Sequence, residues 1–383
     1  MTRQLMLEDL IRREIEAHDG WVPFERFMEL ALYAPGLGYY ERERVFGADG
    51  DFITAAEMGS WLAGGLVDLV KWSLDQLGKP RQWILMEQGG GSGMTLVRLV
   101  LLLEQMGVSP PERVIEIERS AWLRRQQQEL FKKHGLSVEQ HADQTGLNGL
   151  ENVVFFSNEL PDAFPVRCFK WEHEVLWERG VTCTDSGFAW HEIPLASGGP
   201  DIPRHLKSDW PDGYVSEWNP NLDPWQETLA NMIERGIMIT VDYGYRCQEY
   251  YRPGRATGTL IAHHRHRVEE DVLAAPGTKD ITAHVDFTAL ARSGLRHGIH
   301  PLLWTTQGAW LAHSPTVQTL VHALADERST NSMSMLAYAK RLMLPSGMGE
   351  LFKLLIQGTH AWSVPPYLSS VNRLGRLGLD STS

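Results

Sequence analysis

The sequence predicts an α/β protein with a mostly parallel sheet. Four short apolar runs have the length and composition of buried strands: residues 83–86, 113–117, 153–157 and 237–241. Helical segments separate them, the clearest at residues 95–105 and 121–133. A glycine-rich turn directly follows the first of these strands. Strands that alternate with helices form βαβ units, in which successive strands lie parallel.

The chain before the first strand predicts an N-terminal helical lid. Apolar side chains recur at helical spacing in residues 5–17 and again in residues 24–32. Residues 56–76 also have the pattern of a helix. The stretch between the second and third helices is aromatic and glycine-bearing, with no clear period, and is interpreted as an ordered loop. We therefore assign residues 1–60 to a helical and loop lid.

Later segments interrupt and extend the α/β pattern. Residues 166–195 alternate between apolar and polar side chains, with turn residues at 178–180 and 185–187, which predicts antiparallel hairpins. Residues 196–224 are rich in Gly, Pro and Asp and are expected to form a surface connection. The remaining domain assignments are these: a core over residues 61–306, an insertion in it at about 166–224, and a C-terminal helical segment over 307–383.

Composition and charge exclude several classes of protein. The chain has 383 residues, 43% of them apolar, and a net charge of −12, which argues against non-specific binding of nucleic acid. No apolar run approaches the ~20 residues that span a bilayer, and the N-terminus resembles neither a signal peptide nor an acid-poor mitochondrial presequence. We expect a cytoplasmic protein, or one of the mitochondrial matrix if the source is a eukaryote. Cys168, Cys183 and Cys247 are too scattered for a disulfide framework.

The turn after the first strand has the sequence Glu87-Gln88-Gly89-Gly90-Gly91-Ser92-Gly93. Glycines permit positive φ and a close approach of ligand to backbone, and the following helix presents free N–H groups. A dinucleotide-binding turn needs G-x-G-x-x-G, but the third glycine position falls on Met94. The pattern acid-x-G-x-G-x-G is instead typical of class I methyltransferases that use S-adenosylmethionine (SAM). The alternative interpretation is a tight turn that binds nothing.

Each group around this turn then has a predicted role. Glu87 would face the charged methionine end of SAM. The glycines that would make room for the sugar are Gly89, Gly91 and Gly93. An acid at the end of the next strand would accept both ribose hydroxyls, as it does in dinucleotide sites, and Glu118 is the last acid on that strand. Glu116 points to the same face of the strand, so the two glutamates could exchange roles.

Segments along nearly the whole chain resemble those of the MidA-like methyltransferases, in the order of that family. Residues 50–57 resemble its GDFxTAPE segment, and Asn158-Glu159 with Asp162-Ala163 and Pro165 resembles its NExxDAxP segment. Further segments similar to the family's are Phe27-Met28 with Ala31-Leu32-Tyr33, Gly38-Tyr39-Tyr40, Asp242-Tyr243-Gly244, Gly258-Thr259-Leu260, His266, residues 280–287 and residues 347–353. Ala56 and Gln88 depart from the pattern, where the family usually has proline and leucine.

The resemblance implies both a fold and an activity. The implied fold is the Rossmann-like, seven-stranded sheet of class I SAM methyltransferases, with an N-terminal helical lid, inserted β-hairpins and C-terminal helices. The implied activity is SAM-dependent methylation of a protein, because the family's mitochondrial members are associated with assembly of respiratory complex I and methylate an arginine of one of its subunits. A protein substrate that presents an arginine also agrees with the negative net charge of this chain.

The segment after the third predicted strand supplies candidate catalytic residues. Methyl transfer is an in-line displacement, which requires a well-oriented nucleophile and an acceptor for its proton. A carboxylate can hold a guanidinium through two parallel hydrogen bonds. We therefore predict that Glu159 and Asp162 bind the substrate for catalysis and that Asn158 orients them. The alternative is structural, with Glu159 as a helix cap and Asp162 in a turn.

Further residues are predicted to line the same site. Thr54 would contact the cofactor, and Asp51 and Glu57 the substrate, in a loop that closes over SAM; a capping box of Thr54 and Glu57 is the alternative. Asp242 and Tyr243 end a strand and could contact substrate. His266 is placed nearby by the resemblance. The histidines His263, His264, His266 and His284 lack the spacing and partners of a zinc site, so no metal is expected.

The sequence thus predicts a SAM-dependent methyltransferase, with an arginine of a respiratory-complex or other cytosolic protein as its substrate. Two alternatives stay open at this point. One is methylation of a small molecule. The other is an assembly factor that binds SAM without turnover. No nucleic-acid partner and no membrane insertion are expected, and a homodimer is possible.

Overall fold

The computed structural model of the protein describes residues 2–41, 60–195, 198–264, 267–327 and 329–379. Its strands are β1 (Val22–Pro23), β2 (Ile84–Gln88), β3 (Arg113–Ile117), β4 (Glu139–His141), β5 (Leu150–Asn158), β6 (Arg167–Glu172), β7 (Val175–Thr184), β8 (Gly187–Pro194), β9 (Tyr214–Trp218), β10 (Ile233–Tyr245), β11 (Ile261–His264), β12 (Arg267–Glu269), β13 (Asp280–Thr282), β14 (Val285–Asp286), β15 (His300–Thr306) and β16 (Phe352–Gly358).

The α-helices complete the element order, and short 3-10 turns lie between some of them. They are α1 (Arg3–Ala17), α2 (Phe24–Tyr33), α3 (Trp61–Gln76), α4 (Met94–Gln105), α5 (Ala121–Lys133), α6 (Arg204–Lys207), α7 (Leu222–Met232), α8 (Cys247–Tyr250), α9 (Phe287–Arg296), α10 (Gln307–His313), α11 (Pro315–Glu327) and α12 (Thr330–Met343). Among the described residues, none of these helices combines the length and the apolar character needed to cross a bilayer.

The large sheet confirms the predicted α/β architecture. Its strand order is β15-β16-β10-β5-β2-β3-β4, and the short strand β14 pairs with the end of β10. Strands β4, β3, β2, β5 and β10 are mutually parallel, whereas β16 runs antiparallel to both of its neighbours. All four strands predicted from apolar runs lie in this sheet. The sheet is mostly parallel because helices such as α4 and α5 connect its successive strands.

Helices cover both faces of the large sheet. Alternate residues of β5 show the two environments. Val154 and Phe156 pack in the hydrophobic core that includes α3 and α4. Val153 and Phe155 pack in the core that includes α7 and α9. A strand buried on both faces must be apolar at nearly every position, which is why the sequence showed continuous apolar runs rather than alternation.

Residues 307–383 were predicted to form a helical segment, but the structure shows that they also contain a strand. The segment contains helices α10, α11 and α12, but it also supplies β16, which lies between β15 and β10 in the large sheet. All seven residues of β16 are buried, in agreement with the apolar run Leu354-Leu355-Ile356. The sheet therefore depends on a strand that the sequence prediction had placed outside the core.

The predicted insertion forms a second, antiparallel sheet, here called the hairpin sheet. Its strands are ordered β1-β7-β6-β9, with β8 paired to β7. The predicted turn at residues 178–180 is wrong, because these residues lie within β7. The turn falls instead at His173 and Glu174, which both have positive φ. Position 180 requires a glycine for another reason, because a Cβ there would collide with the backbone of Val22 in β1.

The segment at 196–224 is more than the surface connection that its composition suggested. It contains α6 and β9, and β9 pairs with β6 along its whole length. Tyr214 of β9 stacks on Trp210 at 4.4 Å between ring centroids, and both rings are buried beneath the hairpin sheet. Aromatic packing thus orders a segment whose content of Gly, Pro and Asp had predicted a loop.

Candidate functional site

A cavity of about 1200 Å³ opens at the edge of the large sheet where its parallel strands end. The chain runs from β2 outward through β3 to β4 and then returns to β5 on the other side of β2. In parallel α/β sheets, such a switch point is where ligands bind, because neighbouring connections leave in opposite directions. The cavity is lined by the glycine turn after β2, here called its turn end, and by a group of acidic side chains after β5, here called its acidic end.

The glycine turn forms one wall of the cavity. Gly89 and Gly91 line the cavity and have positive φ, 74° and 53°, so bare backbone faces the space in a conformation that favours glycine. Gly93 has φ 76° and is the N-cap of α4. It does not line the cavity; a Cβ there would crowd Gln127 and Phe131 of α5 at 3.1 Å. Of the three predicted glycines, two therefore face the cavity and the third permits helix packing.

Glu87 and Glu116 lie beneath the turn rather than in the cavity wall. They are register partners on β2 and β3, and their side chains are 2% and 0% exposed. The N–H of Gly90 donates to Glu116 Oε1 at 2.9 Å. Burial raises the pKa of Glu87 to about 7 and raises that of Glu116 well above its usual value. The structure therefore does not place Glu87 where it was predicted, against the methionine end of a ligand.

Glu118 is the acid that reaches the cavity at the end of β3. It lines the cavity, and Glu116 does not, which supports Glu118 in the predicted ribose role. The N–H of Ser120 donates to Glu118 Oε1 at 2.8 Å and fixes the carboxylate. Burial raises the pKa of Glu118 to about 7, against the lowering effects of the Ser120 hydrogen bond and the positive charge of Arg124.

These residues fit a SAM molecule. Two glycines with left-handed backbone leave space for the sugar, and a fixed carboxylate stands one strand away to accept its hydroxyls. Gln88, the departure from the family pattern, also lines the cavity, and its side-chain oxygen accepts a hydrogen bond from the indole of Trp225 at 3.0 Å. The amide is thus held in the cavity wall by this hydrogen bond.

The acidic end of the cavity includes Glu159, which follows β5. This residue lines the cavity with a positive φ of 52°, a strained conformation for a side chain with a Cβ. Strain of this kind gathers at functional sites. The side-chain N–H of Asn158 donates to Glu159 Oε1 at 3.1 Å. The structure thus brings together the predicted acid and the predicted orienting amide.

Asp162 lies beside Glu159 and is 4% exposed at the cavity wall. The hydroxyl of Tyr243 donates to Asp162 Oδ2 in a short hydrogen bond. Oδ1 of Asp162 is buried and has no hydrogen-bond partner among the described residues. Burial raises the pKa of Asp162 well above its usual value. A buried, unpaired carboxylate oxygen at a cavity wall is a strong indication that a donor from a ligand belongs there.

Asp242 has a different position from the one predicted. It is 0% exposed and does not line the cavity. Its Oδ2 accepts from the backbone N–H of Asp162 at 3.1 Å. Tyr243 does line the cavity. Of the two predicted substrate contacts, Tyr243 reaches the cavity directly, whereas Asp242 supports the backbone that carries Asp162.

The lid supplies two tyrosines that the sequence reasoning did not include among the site residues. Tyr33 and Tyr40 both line the cavity, with their rings stacked at 5.5 Å. The hydroxyl of Tyr40 donates to Asp280 Oδ1 at 2.8 Å, and Asp280, the first residue of β13, is also in the wall. Tyr40 and Asp280 lie within the segments that resemble the family's, and that resemblance was the available signal.

The histidines divide between the cavity and the surrounding structure. His263 and His284 line the cavity; burial lowers the pKa of both, that of His284 to about 4, so its ring is neutral at physiological pH. The side chain of His264 contacts the carbonyl of Thr278 at 2.8 Å. No group of three or more potential metal ligands occurs within the described ranges. Four predicted site residues lie outside those ranges: Asp51, Thr54, Glu57 and His266.

Comparisons with known proteins give the same cofactor. Residues 69–305 match the family model described as an S-adenosyl-L-methionine-dependent methyltransferase. A superfamily member from Burkholderia thailandensis, described as a methyl transferase and solved with S-adenosyl-homocysteine bound, superposes with a TM-score of 0.87 at 29% identity, over 98% of this chain and 97% of that one.

Curated relatives add a narrower description of their own activity. The mitochondrial protein arginine methyltransferase NDUFAF7 homolog of Drosophila melanogaster is 28% identical over 88% of this chain and 81% of its own length. Protein arginine methyltransferase NDUFAF7 of Bos taurus is 25% identical over 89% and 81%. The chain therefore belongs to the MidA-like family of SAM-dependent methyltransferases, and SAM is its cofactor.

Proposed function

We propose that this methyltransferase transfers the methyl group of SAM to an arginine side chain of a protein. The single observation that carries the proposal is the unpaired, buried Oδ1 of Asp162 beside Glu159 in the cavity wall. The relatives that align with most of this chain are named protein arginine methyltransferases, and these names agree with the proposal. A guanidinium carries five N–H donors in a rigid plane and matches two neighbouring carboxylates better than an ammonium does.

The chain's own residues can hold such a substrate in place. Asp162 offers Oδ1 to one edge of the guanidinium, while Tyr243 fixes its other oxygen. A bound cation favours the ionised carboxylate, and so opposes the effect of burial on Asp162. Glu159, oriented by Asn158, then faces a terminal nitrogen of the substrate. Glu159 and Asp162 together would direct that nitrogen toward the bound cofactor.

The reaction requires one proton to leave the substrate. SAM, when bound, supplies an electrophilic methyl group on a positively charged sulfur. The new N–C bond forms as the C–S bond breaks, and the methylated nitrogen loses one proton. We assign this proton to Glu159, which is in the cavity wall and less deeply buried than Asp162. The lid tyrosines and Phe352 surround this end and reduce the access of water.

The test compares Glu159→Gln with the parent on arginine-containing peptides, with methylarginine measured by mass spectrometry. We expect methyl transfer to fall about 100-fold, which is the usual effect of losing a positioned proton acceptor. Binding of S-adenosylhomocysteine should stay unchanged, because the glycine turn and Glu118, rather than Glu159, are assigned to the cofactor. Glu151→Gln is the matched control, since Glu151 is the second residue of the same strand, far along it from Glu159, and is exposed.

The physiological target can be sought in cells. Methylarginine proteomics on parent and deletion strains should show one or more sites that disappear with the gene, and subunits of a respiratory complex, which the family resemblance implies, are the first candidates. Unchanged activity of Glu159→Gln would contradict the assignment of that residue. Methylation of small molecules but not of peptides, or cofactor binding without turnover, would contradict the proposed function as a whole.

A further inference from the structure

We infer that Glu87 and Glu116 share one proton beneath the glycine turn and that this protonated pair, rather than either residue alone, holds the turn in the shape that binds the cofactor. The two glutamates are then positioning residues: they act on SAM through the backbone of Gly90. This inference concerns the cofactor end of the cavity and does not depend on the identity of the methyl acceptor.

The first observation is that two buried carboxyl oxygens lack a donor. Oε2 of Glu87 and Oε2 of Glu116 are both fully buried with no hydrogen-bond partner among the described residues. The two side chains nevertheless contact each other across the paired strands β2 and β3. Two ionised carboxylates in contact would repel and would leave two charges without compensation. A single proton between the two Oε2 atoms removes one charge and satisfies both oxygens.

The second observation is the fit of Gly90 above the pair. A Cβ at this position would lie 2.7 Å from Glu87 Oε2, and 2.8 Å and 2.9 Å from the two oxygens of Glu116. The backbone of Gly90 therefore rests directly on both carboxyl groups. Its N–H donates to Glu116 Oε1, so the position of the pair determines the position of the turn's central glycine. Gly89 and Gly91, which line the cavity, are its immediate neighbours.

The surroundings of the pair favour a retained proton. Glu118, from the end of the same strand as Glu116, is the further charged group that acts on both carboxyls, and its negative charge raises the pKa of each. Phe156 lies opposite Glu87 on β5, and Gln127 of α5 approaches the turn at Gly93. Neither of these side chains carries a charge. Burial acts in the same direction as Glu118, since it disfavours the doubly ionised pair.

Loss of the shared proton should distort the turn. The two carboxylates would separate, and Glu116 Oε1 would move away from the N–H of Gly90. Cofactor affinity should therefore fall as the pH rises through the last ionisation of the pair, which belongs to both residues together. Ionisation of Glu118 has the opposite effect on cofactor affinity, because its ionised form accepts the ribose hydroxyls. Glu118 therefore determines the acidic limb of the pH profile, and the Glu87–Glu116 pair determines the alkaline limb.

The test measures binding of S-adenosylhomocysteine by calorimetry from about pH 6 to 10, in the parent and in Glu116→Gln and Glu116→Ala. A glutamine keeps an oxygen for the N–H of Gly90 and offers a permanent N–H to Glu87, so it imitates the protonated state. We expect Glu116→Gln to bind within about threefold of the parent at neutral pH and to lose the alkaline decline, which in the parent approaches about tenfold per pH unit. Glu116→Ala should bind weakly at every pH.

Infrared spectroscopy gives a second measurement. The difference spectrum of the parent minus Glu116→Gln at neutral pH should contain the carbonyl band of one protonated carboxyl, because other buried carboxyls such as Asp162 contribute equally to both spectra. An alkaline affinity that stays level in the parent, or equal losses in Glu116→Gln and Glu116→Ala with no such band, would overturn the shared proton. These readouts are cofactor binding and spectroscopy, neither of which requires a methyl acceptor. The shared proton and the proposed arginine substrate can therefore each fail without affecting the test of the other.

Discussion

The two ends of the cavity are constructed in different ways. The turn end comes from one short stretch, residues 87–93, together with Glu118 one strand away. The acidic end is assembled from side chains far apart in the chain: Tyr40, Glu159, Asp162, Tyr243 and Asp280. Backbone conformation shapes the first, whereas hydrogen-bonded side chains shape the second. Cofactor binding should therefore be sensitive to changes of backbone, and substrate binding to the loss of single polar atoms.

The largest expected effect is that of Gly91→Val on the turn end. Valine is strongly disfavoured at φ 53°, and its side chain would enter the space where the ligand approaches the backbone. We expect the affinity for S-adenosylhomocysteine, measured by calorimetry, to fall at least about 100-fold, or ~2.7 kcal/mol. Gly107→Val is the matched control, because Gly107 has φ 67° in open space after α4 and should affect stability alone. Equal binding by both variants would contradict a turn shaped by its backbone.

The next effect separates the acidic end from the turn end. Asp162→Asn removes the charge of the buried carboxylate but keeps its size. We expect kcat/KM for an arginine peptide to fall about 30-fold, the effect of losing a hydrogen bond between charged groups. Cofactor affinity should not change, and Asp209→Asn, at an exposed position, should change neither quantity. A loss of cofactor affinity in Asp162→Asn would show that the two ends are not independent.

The same contrast explains how much of the site the sequence could predict. The turn and Glu118 were predictable because a strand end, a glycine and an acid at fixed spacing determine their own geometry. Tyr40 and Asp280 were not placed in the site from their pattern, since residues 240 positions apart meet only through packing of the lid on β13. Glu87 and Asp242 were predicted on the correct strands, although β10 continues past Asp242 to Tyr245, and the sequence gives no sign of which carboxylates turn inward.

The errors in the fold have a similar origin. Strand β16 lay among predicted helices, because its short apolar run Leu354-Leu355-Ile356 has no period that separates a strand from a buried helix. Gly180 suggested a turn, although its role is to let β1 approach β7. In both cases the deciding contact comes from a segment distant in sequence. Local pattern therefore predicted the parallel strands well and the late additions to the sheet poorly.

Ionisation of Glu118 should change the cofactor affinity by a smaller factor than the two substitutions above. Its pKa is about 7 in the folded protein and close to 4.3 in an unfolded chain, so the folded state binds more protons between these values. Without cofactor, the contribution of Glu118 to stability should accordingly decline as the pH rises across this window. Binding should show the reverse trend, because ionised Glu118 accepts the ribose hydroxyls.

We expect affinity for S-adenosylhomocysteine to rise by up to about tenfold per pH unit below pH 7, and this rise to end near pH 7, before the alkaline decline expected from the Glu87–Glu116 pair. Calorimetry at constant ionic strength measures this rise. Glu118→Gln should bind more weakly, with no rise over the same range. An affinity in the parent that decreases as the pH passes from 6 to 7 would contradict the ribose role and would favour the exchange of Glu118 with Glu116.

The smallest effect should come from Tyr40, which touches structures at both ends. Its hydroxyl donates to Asp280, while its backbone carbonyl accepts from the hydroxyl of Ser120 beside Glu118. Tyr40→Phe keeps the ring and the backbone and removes the hydroxyl alone. We expect KM for the peptide to rise about fivefold with kcat and cofactor affinity unchanged, as for one lost hydrogen bond at a charged acceptor. Tyr338→Phe, on the exposed part of α12, is the control. If cofactor affinity fell and KM did not rise, Tyr40 would belong to the turn end. The lid would then contribute to cofactor binding, and the turn end would not be shaped by backbone conformation alone.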